Sequence, residues 1–200
     1  AVHGNVVARS GDVLTVRGAT IVRRSGVVIY RDDVIVTIGD DTSVRRRPGL
    51  ALDKSAISVG QRVEILGTIT SAPSAEATTL DATAGRVRLL VTQLAGLVSA
   101  SNPGQLNVDL ASIDRRPAGL FDFSGTGLSP AVDADPSDYE VATGQLPLAD
   151  GATGDAVRLS GFVQPFGAAP QDLSAFTVAA WLGANAGASS MTTRPVASSR

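Results

Sequence analysis

Hydrophobic and polar residues alternate with a period of two along most of the chain. In the stretch RVEILGTI, Val63, Ile65 and Ile69 alternate with polar neighbours, and Gly67 occupies one of the apolar positions. This alternation is typical of a β-strand with one buried face. A glycine on the buried phase predicts a bulge, or a bend where another part of the backbone comes close.

The same pattern recurs further along the chain. The stretch AVRLSGFV repeats it, with Gly161 in the place of Gly67. GNVVARSGDVLTV and GLVSASNPGQLNV also resemble each other, and each predicts a β-hairpin. The nearly constant offset predicts two tandem copies of a unit of about 90 residues, with a boundary near Leu90 to Gln93. The offsets are 92 for Gly4 and Gly96, 94 for Gly60 and Gly154, 94 for Gly67 and Gly161, and 93 for Leu80 and Leu173.

The order of predicted elements within one copy indicates the fold. The opening hairpin is followed by ATIVRRSGVVIYR, which predicts a second hairpin or a long excursion turning at Ser25–Gly26. The strand VIVTI, a short helix in LALDKSAIS, and two further strands complete the copy. Three strands, a helical connection and two more strands are the order of an OB-type barrel.

We therefore predict an all-β protein with two tandem small OB-like barrels, short helical connections and a flexible C-terminal tail. The first barrel covers residues 1–90, the second covers 91–182, and the small polar residues of 183–200 form a disordered tail or linker. In the second copy the helical connection shortens to PLADGA. The linker between the copies is short and apolar, which predicts that the barrels pack closely.

These glycine and valine patterns resemble a known bacterial family. Gly4 to Val16, Val34 to Thr42, and Gly60 to Thr70 carry the resemblance in the first copy, and Gly96 to Val108 and Gly154 to Val163 carry it in the second. The family consists of uncharacterised tandem OB-like β-barrel domains of predicted lipoproteins and secreted proteins. The resemblance implies an OB-like fold and a bacterial periplasmic, cell-envelope or secreted location. It implies no catalytic residue.

Composition narrows the range of functions. The 200 residues are 44% hydrophobic and 18% charged, with a net charge of -2, so the chain as a whole does not attract nucleic acid. The absence of cysteine excludes disulfides and thiolate catalysis. No apolar run is long enough to span a bilayer, and the glycine-rich stretches lack a phosphate-binding lysine, so we expect no transmembrane segment and no cofactor.

Arginines are the strongest candidates for ligand binding. Arg45, Arg46 and Arg47 form the sharpest basic run, and an OB-like fold would place them beside a ligand groove with Tyr30. Arginine suits phosphate and carboxylate groups, although a charged run in a loop is more often simply solvated. Arg115 and Arg116 form a second pair with the same two interpretations.

An acidic loop raises the question of a metal site. Asp133, Asp135 and Asp138 alternate in a way that can direct oxygens toward a calcium ion. However, Pro136 stands where a calcium-binding loop needs glycine, and the spacing to a distal glutamate fails. We therefore predict no metal site, since aspartate and proline are also common in turns.

The sequence contains no recognisable catalytic motif. His3 is the only histidine, and an enzyme would need distant carboxylates such as Asp122 and Glu140 to meet in a cleft. Aromatic residues concentrate near the end of the chain, where they would cap the second barrel, pack it against the first, or form a partner surface: Phe162, Phe166, Phe176 and Trp181.

The sequence thus predicts a protein that is not an enzyme. We expect a non-catalytic structural or macromolecule-binding module of an extracytoplasmic bacterial protein, with another envelope protein or a polysaccharide as its partner. The alternative is an OB-like domain that binds an oligosaccharide or an anionic polymer through arginine-rich loops. Specific binding of nucleic acid is not expected.

Overall fold

The computed structural model describes residues 1–47, 49–71, 77–146 and 153–181. It is all-β, with 60% of the residues in strands and, among the residues described, no helix as long as seven residues. The strands form two closed five-stranded barrels in tandem, which confirms the predicted fold class. The predicted tail at 183–200 and the PLADGA connection at 147–152 lie outside the described residues.

The first barrel closes in the order β1-β2-β3-β7-β6, with β6 returning to β1 and β3 running parallel to β7. A short hairpin, β4–β5, adds to the edge of β7, and a 3₁₀ turn over Lys54–Ala56 leads into β6. The strands are β1 (Val2–Ser10), β2 (Val13–Val22), β3 (Val28–Thr37), β4 (Ser43–Arg47), β5 (Leu50–Leu52), β6 (Arg62–Ile69) and β7 (Thr78–Leu90).

The second barrel repeats this topology as β8-β9-β11-β13-β12, with β12 returning to β8 and β11 parallel to β13. Between β10 and β11 the chain makes an irregular excursion with three 3₁₀ turns, at Ala118–Leu120, Pro130–Val132 and Pro136–Asp138. The strands are β8 (Thr92–Asn102), β9 (Gln105–Ile113), β10 (Arg116–Pro117), β11 (Tyr139–Ala142), β12 (Ala156–Val163) and β13 (Leu173–Trp181).

Two sequence-based expectations need refinement. The stretch from Val13 to Thr37 is one hairpin, because β3 begins at Val28 and not at Val34. The arginine run predicted as a loop belongs to β4, because Arg45 and Arg47 pair with β5 and Arg45 also pairs with Arg88 of β7.

The two copies share the strand register of their opening hairpins. Their pairing irregularities also recur, at His3–Asn5 and Ala95–Gly96 and again at Val6–Ala8 and Val98–Ala100. The offset of 92 residues is therefore a property of the structure as well as of the sequence. Equivalent pairs include Val2–Ile21 and Leu94–Ile113, His3–Thr20 and Ala95–Ser112, and Asn5–Arg17 and Leu97–Asp109.

The inward glycines mark backbone crowding, as the pattern predicted. A methyl group on Gly67 would overlap the carbonyl oxygen of Asp81, and one on Gly161 would overlap that of Ser174. The strand register shifts at both glycines. These positions let a strand bend around the barrel, which a side chain would prevent.

Each barrel has its own hydrophobic core, and the two cores meet. Val91 alone separates β7 from β8. Val7 and Val59 come from the first copy but pack in the core of the second barrel, and Phe162 of the second copy packs against the core of the first. This exchange confirms the prediction that a short apolar linker brings the barrels into close contact.

Candidate functional site

A buried asparagine ties the two barrels together. The Asn5 amide nitrogen on β1 donates to the Oδ2 of Asp114 at 2.6 Å and to the carbonyl oxygen of Gly60 at 3.2 Å. Its amide oxygen accepts a hydrogen bond from Nη1 of Arg116 at 2.9 Å. A buried amide without hydrogen-bond partners is costly, so these bonds are strongly favoured. They hold the second barrel on the outer face of β1 and β2.

A strained turn forms the second half of this contact. Asp114 and Arg115 connect β9 to β10 and have φ angles of 45° and 68°, which residues other than glycine rarely adopt. The Asp114 carboxylate also accepts the backbone N–H of Gln93 at 3.1 Å. The turn is therefore held by its partners, and it presents Arg115 to solvent.

Arg116 depends on a neighbouring glycine. Its guanidinium lies directly against Gly18 of β2, where a methyl group would overlap Nη2. Gly18 also has a positive φ of 64°, which favours glycine over any other residue at this position. The lack of a side chain at Gly18 thus leaves room on the first barrel for the Arg116 guanidinium of the second barrel.

These elements enclose a polar cleft of about 390 Å³ between the barrels. Arg62, Arg115 and Arg116 line it, together with one carboxylate, Asp114, which already accepts a hydrogen bond from Asn5. The cleft is therefore lined by three arginines and one carboxylate, so its charged residues are mostly basic. Planar guanidinium groups bind carboxylate, sulfate and phosphate with paired hydrogen bonds.

The arginines predicted from sequence lie elsewhere. Arg45, Arg46 and Arg47 are exposed on β4, and the Arg46 guanidinium sits 4.7 Å from the centre of the Phe162 ring. Tyr30 on β3 is 75% exposed and lies opposite Thr20, a residue that lines the cleft. None of these four residues lines the cleft itself, and their ligand-binding role stays a prediction.

Sequence reasoning noted Arg115 and Arg116 but missed their importance. The stretches ATIVRR and ASIDRR begin at Ala19 and Ala111, again 92 residues apart. That repetition was a usable signal, because solvated arginines need not recur at a fixed offset. Asn5 and Arg62 gave no comparable signal.

The aromatic residues near the end of the chain support the contact between the barrels. The Phe166 ring lies 4.5 Å from the guanidinium carbon of Arg9, and its backbone N–H donates to the carbonyl of Ser55 at 2.7 Å. Phe162 packs on the first core, while Phe176 remains half exposed beside it. Packing of the second barrel against the first is therefore the alternative that holds for Phe162 and Phe166.

The aspartates of the acidic loop form local hydrogen bonds. Asp133 accepts the N–H of Gly127 at 2.8 Å, and Asp135 caps a 3₁₀ turn by accepting the N–H of Ser137. Asp138 accepts from the amide of Asn107 at 2.9 Å. Within the described part of the chain, no group of three or more histidines and carboxylates is arranged to hold a metal ion.

Among the carboxylates in the described part of the chain, Asp172 is the one with a strongly raised pKa. Burial beneath the acidic loop raises the pKa of Asp172 to about 7, and the nearby carboxylates of Glu140, Asp135 and Asp138 add to the effect. The N–H of Glu140 donates to its Oδ2 at 2.8 Å and opposes the shift. Burial likewise raises the pKa of the neighbouring Tyr139.

The residues considered for catalysis contact separate partners within the chain. Asp122 accepts two hydrogen bonds from Ser124, which lower its pKa, and Glu140 accepts from Gln105 at 3.4 Å. His3 lies 3.9 Å from Glu64 on the neighbouring strand. These groups therefore have no common geometry that suggests an acid–base pair.

Comparison with protein-family models, curated proteins and solved structures finds no match to this chain. No helix in the described ranges is long and apolar enough to cross a membrane. The fold and the cleft together describe a protein of two tandem small β-barrels joined around an arginine-lined cleft.

Proposed function

We propose that this protein is a non-catalytic binding module that holds an anionic macromolecule in the cleft between its barrels. The observation that carries the proposal is that Arg62, Arg115 and Arg116 line one cleft together with a single carboxylate, Asp114. Acidic polysaccharides are the ligand class that we favour, because their carboxylate or sulfate groups match guanidinium forks.

The surroundings of the cleft suit a chain-like ligand. The cleft opens on the outer face of β1 and β2, and Thr20 connects it to the exposed ring of Tyr30 on the adjacent strand. An exposed aromatic ring offers a flat apolar surface to one unit of a polymer while the arginines hold its charges. We therefore propose a binding role for Tyr30, as predicted from the sequence, but with different arginines as its partners.

The setting that we propose is extracytoplasmic and bacterial, with an envelope polysaccharide or an envelope protein as the partner. The resemblance of the glycine and valine patterns supports this setting. The separate hydrogen-bond partners of Asp122 and Glu140 support a role without catalysis.

The test is a binding titration with labelled dextran sulfate and polygalacturonate, using uncharged dextran as the neutral control. We expect the two anionic polymers to bind, with affinity falling as salt rises. R62Q and R115Q should each weaken binding roughly three- to fivefold, as expected for an exposed charge pair worth up to ~1 kcal/mol.

The matched controls are R45Q and R47Q, which remove exposed arginines from β4 of the same barrel. They should leave the affinity unchanged. A loss confined to these controls would move the site to the arginine run predicted from sequence. Failure of both anionic polymers to bind would leave a purely structural role and refute the proposal.

A further inference from the structure

The tip and the face that join the barrels each have an equivalent in the other copy. Within the chain, Asp114 at the tip of β9 contacts Asn5 on the face of β1. At the offset of 92, the residue equivalent to Asp114 is Val22, at the tip of β2, and the residue equivalent to Asn5 is Leu97, on β8. The first barrel therefore has an equivalent tip at Val22, and the second barrel has an equivalent face around Leu97. We call these the second tip and the second face.

Backbone hydrogen bonds support this equivalence. The N–H of Val22 donates to the carbonyl of Ala1 at 2.7 Å, and the N–H of Asp114 donates to the carbonyl of Gln93 at 2.7 Å. Ala1 and Gln93 are themselves 92 residues apart. Beyond this point the tips differ, since the second barrel has a two-residue turn and β2 connects to β3 through residues 23–27.

The second tip and the second face have changed together. The hydrogen-bonded pair of Asp114 and Asn5 is replaced by Val22 and Leu97, which are both apolar. Val22 is 36% exposed and Leu97 is 47% exposed, and the cross-strand neighbour of Val22, Val28, is also exposed. A polar pair inside the chain thus corresponds to an apolar pair left on the surface.

The charged residues directly beside this apolar pair are of opposite sign on the two surfaces. Arg23 and Arg24 follow Val22 and are exposed at the tip. Asp109 is exposed on the face as the cross-strand neighbour of Leu97, although Arg158 lies on the same face beside Ala95. An arginine-bearing tip that docks at Leu97 would therefore meet Asp109 directly.

We propose that the tip of the first barrel in one copy of this chain docks on the face of the second barrel in another copy. Val22 would pack against Leu97, and Arg23 or Arg24 would pair with Asp109. This contact is heterologous, so repeating it produces a closed ring if the rotation between copies closes and an open head-to-tail chain if it does not. The proposal does not depend on the function assigned to the cleft.

The contact between copies should be weaker than the one within the chain. Val7, which packs in the core of the second barrel, corresponds to the polar Ser99 on the second face. The intermolecular contact also lacks the covalent link at Val91. We therefore expect reversible association that increases with protein concentration.

Sedimentation velocity over a concentration series tests the proposal. The wild-type protein should shift reversibly from monomers to dimers or larger species as its concentration rises. V22D and L97N should each weaken association by at least about tenfold, because each places a polar group against an apolar partner. The double variant V22D/L97N should regain association, because it recreates the Asp–Asn pair that joins the barrels within the chain.

V13D is the control, since Val13 is a valine of similar exposure at the opposite end of β2. It should associate like the wild type, and circular dichroism should show the same fold for every variant. A wild-type protein that stays monomeric at all concentrations would overturn the proposal. So would a double variant that associates no better than V22D.

Discussion

Replacing Gln61 by leucine removes a fully buried side chain that bonds to both barrels. The Gln61 Oε1 accepts the N–H of Val163 in the second barrel at 3.1 Å. Its Nε2 donates to the carbonyl of Leu90 at 2.5 Å and to that of Arg62 at 2.9 Å. Leucine has nearly the same volume, so the main effect is the loss of hydrogen bonds and not a cavity.

The expected cost follows from the groups left without partners. A buried donor or acceptor without a partner costs about 1–3 kcal/mol, so the Q61L variant should lose about 3 kcal/mol of stability. For a protein of this size, that corresponds to a fall in Tm of roughly 6–12 °C. Differential scanning calorimetry measures the change.

The control is Q164L, which removes one exposed hydrogen bond to Ser174. It should change the stability by no more than about 0.5 kcal/mol. If Q61L melts within 2 °C of the wild type (a shift of under about 1 kcal/mol), the barrels are not held together by Gln61 as described here.

Two further predictions concern backbone crowding and pH. G161A should destabilise the protein by about 1–3 kcal/mol in urea unfolding, because its methyl group would overlap the Ser174 carbonyl, whereas G119A, which has open space around it, should change little. The pKa of Asp172 is about 7 in the folded protein against 3.8 when unperturbed, so its contribution to stability is greatest below pH 3.8 and falls as the pH rises through about 7. Between about pH 5 and pH 8 the wild-type protein should lose about 2–3 kcal/mol of unfolding free energy, measured by urea unfolding at each pH. The D172N variant should not show this loss. An identical pH profile for both proteins would contradict the assignment.

Much of the fold could be predicted because β-structure is periodic. Alternation located the long strands, and the inward Gly67 and Gly161 marked the bulges, because both signals are local. The β4–β5 hairpin was missed for the opposite reason. Arg45 to Arg47 show no alternation, and they belong to a strand because Arg45 pairs with β7 and with β5, and Arg47 pairs with β5.

The candidate site was harder to predict because it exists only between the barrels. Asn5 and Arg62 are polar residues in alternating strands, where a solvated residue and a buried anchor have the same pattern. Only the way in which the two barrels pack together shows which polar residue is solvated and which is a buried anchor. The arginines of ATIVRR and ASIDRR were accessible through their offset of 92, but the offset does not say which pair lines a cleft.

The most direct measurement is an NMR titration of the ¹⁵N-labelled protein with a short oligogalacturonate. Binding in the cleft predicts that the largest amide shift changes occur at Gln93, Asp114 and Arg115, with smaller changes near Thr20 and Tyr30. Shift changes concentrated on β4, or an absence of changes at concentrations where the anionic polymers bind, would contradict the assignment of the cleft as the ligand site.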